Sequence, residues 1–117
     1  MGKLSTHVLD TQGGHPAAGV SIELWALSDG EKERLVVSTE TNSDGRTDAP
    51  LLSGESVVAG NYRLIFNVAE YYQRQGNRDA GRFLNRVPVE FKIEDPSAGY
   101  HVPLLVTPWS YTTYRGS

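Results

Sequence analysis

The sequence of 117 residues contains no cysteine. That absence excludes a disulfide framework, a thiolate metal site and a cysteine nucleophile together. Long hydrophobic runs are missing as well: no apolar stretch approaches the ~18 residues that a bilayer crossing requires, so no membrane span is expected. Charge of one sign is also lacking. Eleven Lys and Arg stand against 14 Asp and Glu, a net charge of −3, which argues against a dedicated nucleic-acid binder. Neither a Gly-rich phosphate loop nor a Gly-x-Ser-x-Gly nucleophile elbow is found. Met1-Gly2-Lys3 runs directly into Leu4-Ser5-Thr6-His7 without an apolar leader, so a cytoplasmic protein is expected.

What remains is enough to build a core. Hydrophobic residues make up 38% and charged residues 21%, a balance that excludes wholesale disorder. A chain of this length is expected to form a single domain, residues 1–117, with roughly two thirds of its unfolded surface buried.

Period-two alternation in short runs is the dominant pattern. Val20, Ile22, Leu24 and Ala26 share one strand face, with Ser21 and Glu23 on the other. Leu35, Val37 and Thr39 alternate against Val36, Ser38 and Glu40. Tyr62, Leu64, Phe66 and Val68 repeat the pattern, as do Val87, Val89, Phe91 and Ile93. Turn-forming words separate the runs: Gly13-Gly14-His15-Pro16, Asp29-Gly30, Asn42-Ser43-Asp44-Gly45, Ala59-Gly60-Asn61 and Asp95-Pro96-Ser97-Ala98-Gly99. This spacing predicts an antiparallel β-sandwich of seven or eight strands. One segment departs from it. Glu70-Tyr71-Tyr72-Gln73-Arg74-Gln75 consists of good helix formers and is stopped by Gly76-Asn77, which predicts one short helix. Arg74, Arg78, Arg82 and Arg86 recur every four residues, but Gly76 and Gly81 interrupt any helix there, and a solvated loop is expected.

Histidine is the first candidate for acid–base work, because its ordinary pKa lies near neutrality. Only His7, His15 and His101 are available. His15 belongs to a turn and is expected to be exposed. His7 shares a strand face with Ser5 and Leu9, opposite Leu4, Thr6 and Val8. In Tyr100-His101-Val102-Pro103-Leu104-Leu105-Val106 the core face is Val102, Leu104 and Val106, so His101 points outward with Pro103 and Leu105. Outward apolar residues beside a histidine suggest a covered surface such as a subunit interface. A three-histidine zinc site lacks any short-range His pair, so no metal is expected. From spacing alone, two strand histidines are compatible either with a site or with ordinary surface positions.

Longer words narrow the choice. Leu4-Ser5-Thr6-His7-Val8-Leu9-Asp10, followed by Gly14-His15-Pro16-Ala17, closely resembles the opening of the transthyretin-like 5-hydroxyisourate hydrolases. Thr41-Asn42-Ser43-Asp44-Gly45-Arg46 resembles that family's middle motif. Tyr100-His101-Val102-Pro103-Leu104-Leu105, Pro108-Trp109-Ser110-Tyr111 and Tyr114-Arg115-Gly116-Ser117 resemble its closing signature. The similarity runs from about residue 4 to 117. Phe83-Leu84-Asn85-Arg86 departs from it, standing where a Phe-Pro-Glu type sequence is common.

The resemblance implies an all-β, transthyretin-like sandwich of two four-stranded antiparallel sheets with one short α-helix. It also implies a homotetramer whose sites lie at subunit interfaces, around a central channel. The implied activity is hydrolysis of 5-hydroxyisourate to 2-oxo-4-hydroxy-4-carboxy-5-ureidoimidazoline in urate degradation, without metal or organic cofactor. By the same resemblance, the catalytic residues would be His7, Arg46, His101 and Ser117. Substrate would be held by Arg46, Tyr114, Arg115, Gly116 and Ser117. The reaction class suits these types: opening a ring carbonyl–nitrogen bond needs a base for water, a proton donor for nitrogen and a fixed cation for the oxyanion. Which histidine serves as base stays open at this level. The rival readings are a carrier on the same fold, which would lack His7 and the Tyr-Arg-Gly-Ser tail, and a structural module, which would need neither.

Overall fold

Alternation decides which residues turn inward. In β1 (Lys3–Asp10), Leu4, Thr6, Val8 and Asp10 are buried, while Ser5, His7 and Leu9 between them are half-covered on the opposite face. The structure is a computed structural model and describes residues 2–27 and 32–116. The Asp29-Gly30 turn signal lies outside the described residues, as does Ser117. After β1 follow β2 (His15–Pro16), β3 (Ser21–Leu27), β4 (Arg34–Glu40), β5 (Leu52–Ser53) and β6 (Gly60–Asn67). The chain continues through the helix α1 (Val68–Arg74), β7 (Arg86–Ile93), β8 (Gly99–Val106) and β9 (Tyr111–Thr113).

These strands make two sheets. One has the order β4-β3-β6-β7, joined throughout by antiparallel pairing. The other has the order β2-β1-β8-β9, with the two-residue β5 pairing the start of β1. Its central pair, β1 with β8, is parallel: Ser5 lies opposite His101 and His7 opposite Pro103. A parallel pair cannot be closed by a hairpin. Here the whole second sheet and the helix intervene between the two strands. The architecture is that of the transthyretin-like sandwich expected from the sequence.

One strand differs from the alternation. A bulge between Leu24 and Trp25 in the β3–β4 ladder sets Leu24 opposite Val37 but Trp25 opposite Leu35. The extra residue on β4 reverses the in–out pattern. Leu35 is therefore 44% exposed, and both Val36 and Val37 pack against the core. The helix also begins two residues before the expected Glu70, because the Asn67 side chain accepts a hydrogen bond from the Glu70 amide and caps it.

The helix buries Val68, Ala69, Tyr71 and Tyr72 against the sandwich. Asp10, at the end of β1, receives its contacts: Tyr71 donates to Oδ2 at 2.9 Å and Tyr72 to Oδ1 at 2.8 Å. The amides of Gln12 and Gly13 donate to Oδ1 as well. A carboxylate buried to this degree is tolerated only when its lone pairs are filled, and here they are. Burial first, and the Asp10 carboxylate second, push both tyrosine hydroxyls well above their ordinary pKa. Two of the arginine series have partners of their own: Arg74 donates to the Gly19 carbonyl and Arg82 stands 3.8 Å from Asp79.

Candidate active site

Three chemical groups converge on the outward face of the β1–β8 pair. His7 and His101 lie on adjacent strands, two residues apart in register. With strands about 4.8 Å apart and a rise near 3.3 Å per residue, their Cα atoms are on the order of 8 Å apart. The third group arrives from a turn. Asn42 shapes it by accepting the Asp44 amide on its side chain and the Gly45 amide on its carbonyl. The Val8 amide donates to the Gly45 carbonyl at 2.8 Å, and Arg46 forms a lone antiparallel bridge with His7. Arg46 is thus fixed at its backbone beside His7, with its side chain exposed. Among the described residues its guanidinium has no carboxylate partner.

Gly45 makes this approach possible. Its φ is +77°, and an added Cβ would lie 2.4 Å from the Val8 carbonyl oxygen. Gly45→Ala is expected to cost about 1–3 kcal/mol in backbone strain alone and to dislodge Arg46. Thermal melts, read beside turnover, check both effects.

The two histidines are held differently. His7 Nε2 lies 2.9 Å from the Asp44 carbonyl oxygen. A carbonyl only accepts, so Nε2 carries a proton and donates it. His101 Nδ1 lies 2.9 Å from Ser5 Oγ. His101 has its pKa lowered below the usual 6.5, chiefly by burial, then by the positive charges of Arg46, His7 and Lys3. The imidazole of His101 is therefore neutral at neutral pH. A cleft of about 210 Å³ opens alongside, lined by Lys3, Ser5, Thr6, Arg46, Thr47 and Asp48.

The chain's final residues divide between two places. The Gly116 amide donates to the His101 carbonyl at 2.7 Å, and a Cβ at Gly116 would come within 3.0 Å of the His101 ring. Gly116 therefore packs directly on the histidine. Arg115 does not join it: its guanidinium sits 4.3 Å over the Tyr100 ring and donates to the Gly99 carbonyl. Tyr114, 57% exposed, lines a separate cleft with Arg115, Tyr100, Val102 and Phe91. Within this chain, then, His7, Arg46, His101 and Gly116 come together, while Tyr114 and Arg115 face elsewhere. His15 is exposed on β2, with Nδ1 at 2.8 Å from the Pro16 carbonyl. Among the described residues no three His, Asp or Glu groups gather as a metal site.

Two residues of this surface were not singled out as functional from the sequence. Ser5 was visible only as a strand neighbour of His7, and Lys3 carries no motif at all. The signal for Ser5 was its parity with His7; its pairing with His101 required the parallel register.

A transthyretin-type sandwich with a cationic, histidine-bearing outer face defines the class, and residues 4–116 match the HIUase/Transthyretin family. The chain belongs to that family. It is 50% identical to the 5-hydroxyisourate hydrolase of Halalkalibacterium halodurans, over 99% of this chain and 98% of the relative. Among solved structures, it is similar to an (S)-allantoin synthase, with a TM-score of 0.92 and 44% identity. That alignment covers 99% of this chain and 44% of the synthase, so the present chain spans under half of the longer protein. It is also similar to sea bream transthyretin in complex with thyroxine, with a TM-score of 0.87 and 25% identity, over 97% and 94% of the two chains.

Proposed function

We propose that this protein is an enzyme that hydrolyses 5-hydroxyisourate, giving 2-oxo-4-hydroxy-4-carboxy-5-ureidoimidazoline in urate degradation. The observation that carries the reading is the convergence of His7, Arg46 and His101 from three distant stretches of sequence on one solvent-facing surface. The naming of a relative that is half identical over nearly the full chain supports the substrate. A carrier needs shape and apolar walls; it has no use for an imidazole beside a guanidinium that has no carboxylate partner among the described residues.

In this mechanism the substrate's carbonyl oxygens face Arg46, whose planar fork matches a flat ring rich in oxygen and nitrogen. His101 takes a proton from water as the oxygen attacks the ring carbonyl. Arg46 meets the negative charge that develops there. The carbonyl–nitrogen bond then breaks, the carbon side leaves as a carboxylate, and the nitrogen receives a proton. His7, with Nε2 anchored on the Asp44 carbonyl, orients the substrate or relays that proton. By the family resemblance Ser117, Tyr114 and Arg115 would complete the substrate pocket; since Tyr114 and Arg115 face away from His101 in their own chain, they would do so from a neighbouring copy. A homotetramer suits the same surface, because Leu9 and Leu105 beside the histidines are apolar and only half-covered. No metal or organic cofactor takes part in this scheme. No helix among the described residues is long and apolar enough to cross a membrane; a cytoplasmic location fits the absence of cysteine.

Generating 5-hydroxyisourate in place with urate oxidase, adding this protein and following the decay of the ultraviolet signal tests the activity. Decay no faster than the spontaneous rate would overturn it. The pH dependence is a second check. A protonated His101 cannot accept from water, so kcat/KM falls as pH drops through its pKa. Because that pKa is lowered, the acid limb is expected below pH 6.5, where an ordinary histidine would already have lost half its activity.

A further inference from the structure

Among the described residues, one of the two ring nitrogens of His101 has a hydrogen-bond partner. Its Nδ1 lies 2.9 Å from Ser5 Oγ, across the parallel register that sets Ser5 opposite His101. On the other side Gly116 closes on the ring edge, 3.0 Å from Cδ2 for an added Cβ. The imidazole is thus held between a hydroxyl and a backbone, and Nε2 is the nitrogen left for a reacting water. A base at Nε2 must carry its own proton on Nδ1. Free histidine favours the opposite tautomer, with the proton on Nε2, so something must reverse the preference.

We propose that Ser5 is the positioning residue that does so: its Oγ accepts the Nδ1–H of His101 and presents Nε2 as the base. This rests on the reading of His101 as the base in 5-hydroxyisourate hydrolysis. The proton balance is simple. Water gives a proton to Nε2, Nδ1 keeps its own, and the Nδ1–H···Oγ bond becomes charge-assisted and stronger as imidazolium forms. Ser5 therefore helps most when the charge develops, which is the condition for raising kcat rather than tightening substrate binding. The groups whose charge acts on the ring are Lys3 and His7 from β1 and Arg46 from the turn after β4. Among the described residues no carboxylate acts on the His101 ring, and there the orienting contact is a neutral hydroxyl.

The test compares Ser5→Ala and Ser5→Thr with the unaltered protein. Nitrogen-15 spectra of the imidazoles, with His7→Gln and His15→Gln variants for assignment, report the tautomer of His101 without any need for turnover. The unaltered protein and Ser5→Thr are expected to show the proton on Nδ1; Ser5→Ala is expected to revert to Nε2. In turnover, Ser5→Ala is expected to lose about tenfold in kcat with KM little changed, in proportion to one neutral hydrogen bond of about 1.4 kcal/mol. Threonine restores it. A His101 protonated on Nε2 in the unaltered protein, or a tautomer unmoved by Ser5→Ala, would overturn the role of Ser5. If the unaltered protein fails to hydrolyse 5-hydroxyisourate while the tautomer shifts as described, the substrate reading falls and the positioning by Ser5 stands.

Discussion

His101→Ala is expected to lower kcat for 5-hydroxyisourate by about 100-fold or more, the usual effect of losing a general base. The fold should tolerate it. His101 stands on the outer face of β8, half-covered, while the core neighbours Val102, Leu104 and Val106 point the other way. Among the described residues its ring makes one side-chain hydrogen bond, to Ser5. Circular dichroism and melting temperature should therefore stay close to those of the unaltered protein while the ultraviolet decay slows. Arg46→Ala is expected to show a loss of similar size through the oxyanion. The combined variant should lose much less than the product of the two, because both groups serve one transition state. Near-full activity in His101→Ala would remove that residue from the mechanism. A fall in activity accompanied by a fall in melting temperature would show instead that the surface is structural.

The second large effect belongs to stability. Asp10→Ala is expected to destabilise the protein by about 3–5 kcal/mol, since each buried donor left without a partner costs about 1–3 kcal/mol. The Tyr71 hydroxyl has Asp10 as its hydrogen-bond acceptor, while Tyr72 keeps a 3.0 Å contact with the Val106 carbonyl. Tyr71→Phe should therefore cost about 1–2 kcal/mol by stripping Oδ2 of that partner, less than removal of the carboxylate. At a chain of this size the Asp10→Ala loss corresponds to a melting temperature lower by on the order of 10–20 °C. Calorimetry gives the number directly. The pH profile of the remaining turnover should not move, because Asp10 faces the core and the histidines face away from it.

These two sites show why some features were legible in the sequence and others were not. The faces of β1 and β8 follow from strict alternation, and that pattern alone turned His7 and His101 outward. The short helix was legible from its composition, with Gly76 as its stop. Arg46 was recognisable only through its motif, because an arginine after a turn has no periodicity to mark it. The inversion in β4 was not legible: a bulge arises from the match between two strands, and Leu35-Val36-Val37 offers apolar residues at both parities. Ser5 as a partner of His101 depends on a register between segments 96 residues apart, which no local pattern encodes. The Asp10 cluster was hidden for a similar reason. An aspartate in a strand and two tyrosines in a helix become one unit only after the helix docks. Arg115 shows the opposite failure of legibility, since a motif gives membership but not direction. Its guanidinium covers Tyr100.

The parallel pairing of β1 with β8 also sets the order of events during folding. A hairpin such as β8–β9 can zip from nearby residues, whereas joining β1 to β8 closes a loop of nearly the whole chain. The length-dependent entropy of that closure is about 4 kcal/mol, and contacts of such long range slow the search for the native topology. Secondary structure can therefore recover in a refolding experiment well before hydrolysis does. The lag between the far-ultraviolet signal and the return of turnover measures the rate at which the two ends of the molecule find each other.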